Sequence, residues 1–172
     1  MKRVPKVIHD HIINARLYLE AVQKFPSPTN YAVQILLLLV SWENIVIADQ
    51  ELHRWARKSP GNIKLLRDHE EKFKGAHSIS RTIIGPPGTP AKEEKYETPN
   101  ELKKLRSICQ YGLSSGSRDI KKMFERYWHT EGFERDLANK IKWVELFVGI
   151  HEDILNGKKS LGLGNIGKVR VK

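Results

Sequence analysis

ILLLLVSWEN, Ile35 to Asn44, is six apolar residues in a row with a carboxylate three positions later. The run suits a helix that is hydrophobic on every side, and such a helix belongs in the middle of a bundle. Its limits are readable from the flanks. Thr29 or Asn30 can cap its start, and Ser59-Pro60-Gly61 ends it after about Lys58. Glu43 is then the decisive residue. An unpaired charge in an apolar interior is strongly unfavourable, so this carboxylate is either buried with partners or faces a groove.

The pattern is helical along almost the whole chain. A first helix is expected from about Lys6 to Phe25, with Ile8, Ile12, Ala15, Leu19 and Val22 on one face, broken by Pro26-Ser27-Pro28. A third covers about Asn62 to Ile83, with Ile63, Leu66, Phe73, Ala76 and Ile79 or Ser80 turned inward. GPPGTPAKEEKYETPN, Gly85 to Asn100, is a long crossover rich in proline and glycine. Pro99 then opens a fourth helix that ends near Tyr111. Ser117 can cap a short helix to about Tyr127, and Thr130 caps the last long one, which Gly157 stops. The stripe of that last helix is Phe133, Leu137, Ile141, Val144 and Val148. The closing KVRVK alternates but is short and charged, so no strand is expected there. The fold class is all-α: an up-and-down helical bundle, residues 1–156, with a long buried second helix antiparallel to the third, followed by a basic Gly/Lys-rich tail, residues 157–172.

Composition agrees with one soluble domain: 172 residues, 40% hydrophobic and 29% charged. The apolar run at Ile35 is far short of the roughly 20 residues of a membrane span. No secretory signal opens the chain, and Cys109 is alone, so neither a disulfide framework nor a cysteine zinc site is expected. A cytoplasmic protein without membrane attachment follows. The net charge is +10, and eight of the 30 basic residues lie at the two ends. Lys2, Arg3 and Lys6 open the chain, and Lys158, Lys159, Lys168, Arg170 and Lys172 close it with no acid among the last sixteen residues. The remaining 22 basic and 20 acidic residues nearly cancel. A basic tail attracts polyanions without sequence preference, which makes these five side chains candidates for nucleic-acid contact, and an aid to solubility otherwise.

The helices carry one polar constellation. In LRDHEEKFKGAH, Leu66 to His77, His69 and Lys72 are three apart and share a helical face. A hairpin of the second and third helices brings them toward Glu43. On residue types alone, this is either a functional site or a structural hydrogen-bond network. Metal binding has little support: no Glu-x-x-His occurs, and His69 and His77 are two turns apart. Cys109 has no histidine within a turn to serve as its base. Arg106 could favour a thiolate there but cannot take a proton. GLGNIG, Gly162 to Gly167, matches the spacing of a dinucleotide fingerprint but follows a helix with only five residues after it, so it is read as tail. No cofactor and no metal are expected.

Several stretches together resemble the AbiV-type abortive-infection proteins. NARLYLEAV, Asn14 to Val22, is similar to that family's opening helix. ILLLLVSWEN resembles its apolar helix ending in Glu-Glu-x-Gly-Lys, of which Glu43 remains; Trp42, Ile45 and Val46 stand at the other positions. DHEEK, Asp68 to Lys72, resembles its His-x-x-Lys. LRSICQYG, Leu105 to Gly112, resembles its Arg-x-x-x-Leu-Tyr-Val, with Arg106 and Tyr111 kept. The resemblance implies a divergent member of a HEPN-like all-helical group and a role in phage defence through RNA or translation. Many HEPN proteins are metal-independent ribonucleases using Arg-x4–6-His, often completed in a homodimer. That spacing occurs here only as Arg3 to His9, with Pro5 inside it, and is read as coincidence. The catalytic candidates are therefore Glu43, His69 and Lys72, with Arg106 and Tyr111 beside them. The alternative is a non-enzymatic helical module that holds a protein or nucleic-acid partner. Whether the chain is an enzyme is open at this point.

Overall fold

The computed structural model describes residues 3–25, 31–59, 68–74, 99–111, 133–162 and 168–169. They are mostly helical: α1 (Lys6–Gln23), α2 (Tyr31–Arg57), α3 (residues 69–74), α4 (Pro99–Tyr111) and α5 (Phe133–Leu155). The expected inward residues Ile63, Leu66, Ala76 and Ile79, and the expected short helix after Ser117, lie outside the described residues.

α2 is the centre. It packs against α1, α4 and α5, most extensively against α1. The buried residues of α1 are Ile8, Ile12, Ala15, Leu19 and Val22, one stripe at helical spacing. Ala15 is the small residue of that stripe, and there Ser41 Oγ donates to the Ala15 carbonyl at 2.7 Å. His11 Nδ1 meets Asn44 Oδ1 at 2.9 Å, and Gln34 Nε2 donates to the Phe25 carbonyl. These pairs run in opposite directions along the two helices, so α1 and α2 are antiparallel. Arg16 ties α1 to α5 through a two-pronged pair with Glu152, at 2.8 and 2.6 Å.

By length and composition α2 also meets the criteria for a membrane-crossing helix, and 61% of its most apolar window is buried inside the fold. The six-residue run alone underrated this helix; a buried core helix and a membrane span share the same composition.

Two helix ends show how the chain turns. At the end of α2, Ser59 N–H bonds to the Arg54 carbonyl at 3.0 Å and Lys58 N–H to that of Trp55 at 3.2 Å, with Lys58 at φ 56°. At the end of α5, Lys158 N–H bonds to Asp153 O at 2.8 Å and Gly157 N–H to Ile154 O at 3.0 Å, with Gly157 at φ 72°. Both are Schellman closures. Glycine takes the left-handed position without a Cβ clash, whereas lysine carries strain there.

The tail departs from expectation. Leu161 is only 3% exposed and joins the main core. Leu161–Gly162 (β1) pairs antiparallel with Lys168–Val169 (β2), Leu161 opposite Val169. An unpacked tail with no strand is therefore corrected. One apolar side chain past the α5 cap finds the core, and the backbone beyond it pairs with the returning chain. The two-residue ladder leaves the all-α class unchanged.

α5 buries Leu137, Val144, Phe147, Val148 and Ile154, and His151 lies among them. Ile141 is partly buried against the same core. Both His151 ring nitrogens face acceptors: Nδ1 the Phe147 carbonyl at 2.8 Å and Nε2 the Asp49 carboxylate at 2.9 Å. A carbonyl and a carboxylate only accept, so both nitrogens carry hydrogen and the ring is an imidazolium. Burial opposes that charge. The Asp49 hydrogen bond and charge, with the Phe147 carbonyl, outweigh it and raise the pKa above the ordinary 6.5. The pair clamps α5 to α2 across 102 positions of sequence. A raised folded-state pKa stabilises fully below about pH 6.5 and loses its contribution as pH climbs through the folded value. His151→Gln is therefore expected to cost about 3 kcal/mol near pH 6. Urea unfolding of both chains from pH 6 to 10 should show the gap narrowing as pH rises.

Candidate functional site

Glu43 follows the most apolar turns of α2, and its side chain is 5% exposed. Three basic groups from two other elements answer it. α3 supplies His69, whose Nδ1 is 2.9 Å from Oε1, and Lys72, whose Nζ is 3.6 Å from Oε2. α4 supplies Arg106, whose Nε is 2.8 Å from Oε1. The i, i+3 spacing places His69 and Lys72 on one side of α3. Phe73, the next residue, enters the core at 1% exposure and fixes that short helix against the bundle.

The groups differ in access. The Lys72 side chain is 9% exposed, Arg106 16% and His69 35%. The carboxylate and the lysine are sealed, and the imidazole forms the rim. The acceptor-only carboxylate oxygen assigns hydrogen to His69 Nδ1, which leaves Nε2 as the basic nitrogen of the neutral ring. A carboxylate fixing one imidazole nitrogen so that the other can take a proton is a recurring catalytic arrangement. Arg106 Nε lies close enough to Glu43 for an ion pair, yet its N–H is not aligned on that oxygen. It has no hydrogen-bond acceptor among the described residues. Arg106 Nη1 donates to Gln110 Oε1 at 2.5 Å on the outer side of α4.

Of the five residues proposed as catalytic, four meet here. Tyr111 does not: it is 77% exposed at the last residue of α4 and is not among the groups that contact Glu43. Five residues beyond Arg106 is well over one helical turn, so the two side chains leave α4 in different directions. Cys109 is disfavoured as a thiolate. Burial pushes its thiol up to about 12.

The basic tail is partly neutralised. Lys159 Nζ is 2.9 Å and Lys158 Nζ 3.9 Å from the Asp153 carboxylate, whose pKa is held low chiefly by the Lys159 hydrogen bond. Both lysines remain more than half exposed. The side chains of Lys168, Arg170 and Lys172 lie outside the described ones.

A second polar group was missed from sequence. His53 Nε2 is 3.6 Å from the same Asp49 oxygen that holds His151, and its buried Nδ1 has no partner among the described residues. The Asp49/His53 spacing of four was visible; the distant His151 was not. Among the described residues, no group of three or more His, Cys, Asp or Glu side chains is arranged to hold a metal ion.

Comparison of the chain with protein-family models, characterised proteins and solved structures finds no match.

Removing the carboxylate strands two mostly buried cations. Glu43→Ala is expected to cost about 3–5 kcal/mol in urea unfolding. Glu43→Gln, which keeps the shape and one acceptor, should cost less. A loss within about 0.5 kcal/mol for Glu43→Ala, the range typical of surface changes, would contradict the geometry.

Proposed function

We propose that the protein is a divergent, HEPN-like helical bundle of the abortive-infection type that acts on RNA, with His69 as its proton carrier. The observation that carries this reading is the Glu43–His69 pair flanked by Lys72 and Arg106. It fits metal-independent phosphodiester cleavage. His69 Nε2 takes the proton of a ribose 2′-hydroxyl, the 2′-oxygen bonds to phosphorus, and the P–O5′ bond breaks. The 5′-oxygen leaves with a proton returned from His69 or taken from water. The charges of Lys72 and Arg106 offset the negative charge that builds on the phosphoryl oxygens. Glu43 positions the imidazole rather than touching substrate, because its carboxylate is sealed.

A second reading, a non-enzymatic module that binds nucleic acid or a protein, is favoured by the burial of Lys72 with Glu43. A network this enclosed can serve only to fix α3 and α4 on α2. Incubating total RNA with the intact chain and with His69→Ala separates the two. Cleavage is expected for the intact chain, and the variant should lose about 10²–10⁴-fold in rate, as general acid–base groups do. Its thermal unfolding should barely change, since His69 lies at the rim. RNA left whole by the intact chain favours the second reading.

A further inference from the structure

The outer side of α1 is less polar than a solvated face. Ile13 and Leu17 are each 56% exposed, more than any other large aliphatic side chain among the described residues. At 3.6 residues per turn they lie on the side of α1 opposite the stripe from Ile8 to Val22. The residues around them are arranged symmetrically about Leu17. Asn14 and Glu20 stand three positions to either side, Ile13 and Ala21 four, and Asp10 and Lys24 seven. These spacings are close to one and two helical turns, so all of these residues share that side. Each pair is complementary: an amide with a carboxylate, a large with a small apolar side chain, an acid with a base. Asp10 and Lys24 are exposed, and neither forms an ion pair with another described residue.

We infer that the outer side of α1 is a self-association surface, on which a second copy of this chain docks antiparallel with Leu17 on the two-fold axis. A two-fold interface requires residue i to meet residue j while j meets i. Antiparallel helices satisfy this when i and j stand equally far from the axis on its two sides. Leu17 then meets Leu17 of the second copy, Ile13 packs over Ala21, Asn14 meets Glu20 and Asp10 meets Lys24, each of the last three contacts made twice. The charges decide between occupants. Asp10 and Glu20 on this side oppose docking to an anionic lipid or nucleic-acid surface, despite the chain's net charge of +10. A parallel pair is disfavoured too, because it sets Asp10 against Asp10 and Lys24 against Lys24. A pair of helices this short buries roughly 1,000 Å², at the small end of specific interfaces, so the dimer dissociates on dilution. The Glu43 cluster draws its members from α2, α3 and α4 and none from α1. It is assembled within each protomer, and the inference does not depend on the proposed reaction.

Sedimentation equilibrium of the full chain over a micromolar concentration series reads the association constant. The intact chain should pass from monomer to dimer as concentration rises. Leu17→Glu brings two carboxylates together on the axis and should leave a monomer that still folds, since Leu17 is exposed. Asp10→Lys and Lys24→Asp should each weaken the dimer several-fold by setting like charges opposite one another. The double variant restores the pairing. An equimolar mixture of the two single variants restores it as well, because every contact between the unlike copies is again acid to base. That rescue is specific to the antiparallel register, and a folding defect cannot reproduce it. Leu146→Ser, on the exposed side of α5, should leave association unchanged. An intact chain that stays monomeric across the series would overturn the inference, as would a dimer that survives Leu17→Glu. Association no stronger in the mixture than in either single variant would overturn the antiparallel pairing.

Discussion

A carboxylate on the most apolar helix of a chain has to be answered from elsewhere in the fold, because water cannot reach it. Glu43 sets that condition here. α2 is committed to the interior by Ile35, Leu38, Leu39, Ile45 and Leu52, all buried, and it takes Glu43 with it. The two elements that meet the demand, α3 and α4, are short and offer little apolar surface of their own. Phe73 anchors one, and Leu102 and Leu105 anchor the other. Their polar sides are drawn to one point by a charge that is unstable without them. The same condition recurs further along α2, where Asp49 holds His151 of α5. The central helix therefore binds its neighbours through apolar contact and through two carboxylates placed about nine ångströms apart along its axis, at 1.5 Å per residue.

The two carboxylates have different surroundings. At Asp49 the imidazolium is enclosed, hydrogen-bonded at both nitrogens and has no exchangeable face, which suits a clamp. At Glu43 the imidazole is bonded at one nitrogen only among the described residues, stands at the rim and has two permanent cations beside it. Burial and access, rather than residue type, separate the candidate site from the structural pair. A fixed carboxylate that orients a half-exposed imidazole combines a stabilising role with a chemical one. Replacing Glu43 is therefore expected to disturb both stability and reactivity, whereas His69 is the position where the two come apart.

Local signals in the sequence carried much of the architecture. The α1 stripe from Ile8 to Val22 follows directly from its spacing, and the ends of α4 and the stop at Gly157 follow from proline and glycine chemistry. Arg106 and Glu43 were recognisable as a pair only through a resemblance, since no periodicity links residues on different helices. The misses have physical reasons. Tyr111 was grouped with Arg106 by motif, but helix geometry sends its side chain elsewhere. His151 looked isolated because its partner is 102 residues away. Leu161 lay in a stretch whose glycines and lysines suggested an unpacked tail, and one leucine outweighed them. Lys158 and Lys159 are no such miss: they pair with Asp153 and stay more than half exposed.

If Glu43 and the cations of α3 and α4 stabilise one another rather than merely lie close, their contributions to stability are coupled. A double-mutant cycle on unfolding free energy, with Glu43→Gln, Arg106→Gln and the pair, measures that coupling directly. Non-additivity of about 1–3 kcal/mol is expected, with the second substitution costing far less once the first is made. Additive losses, equal within about 0.5 kcal/mol to the sum of the single variants, would contradict it.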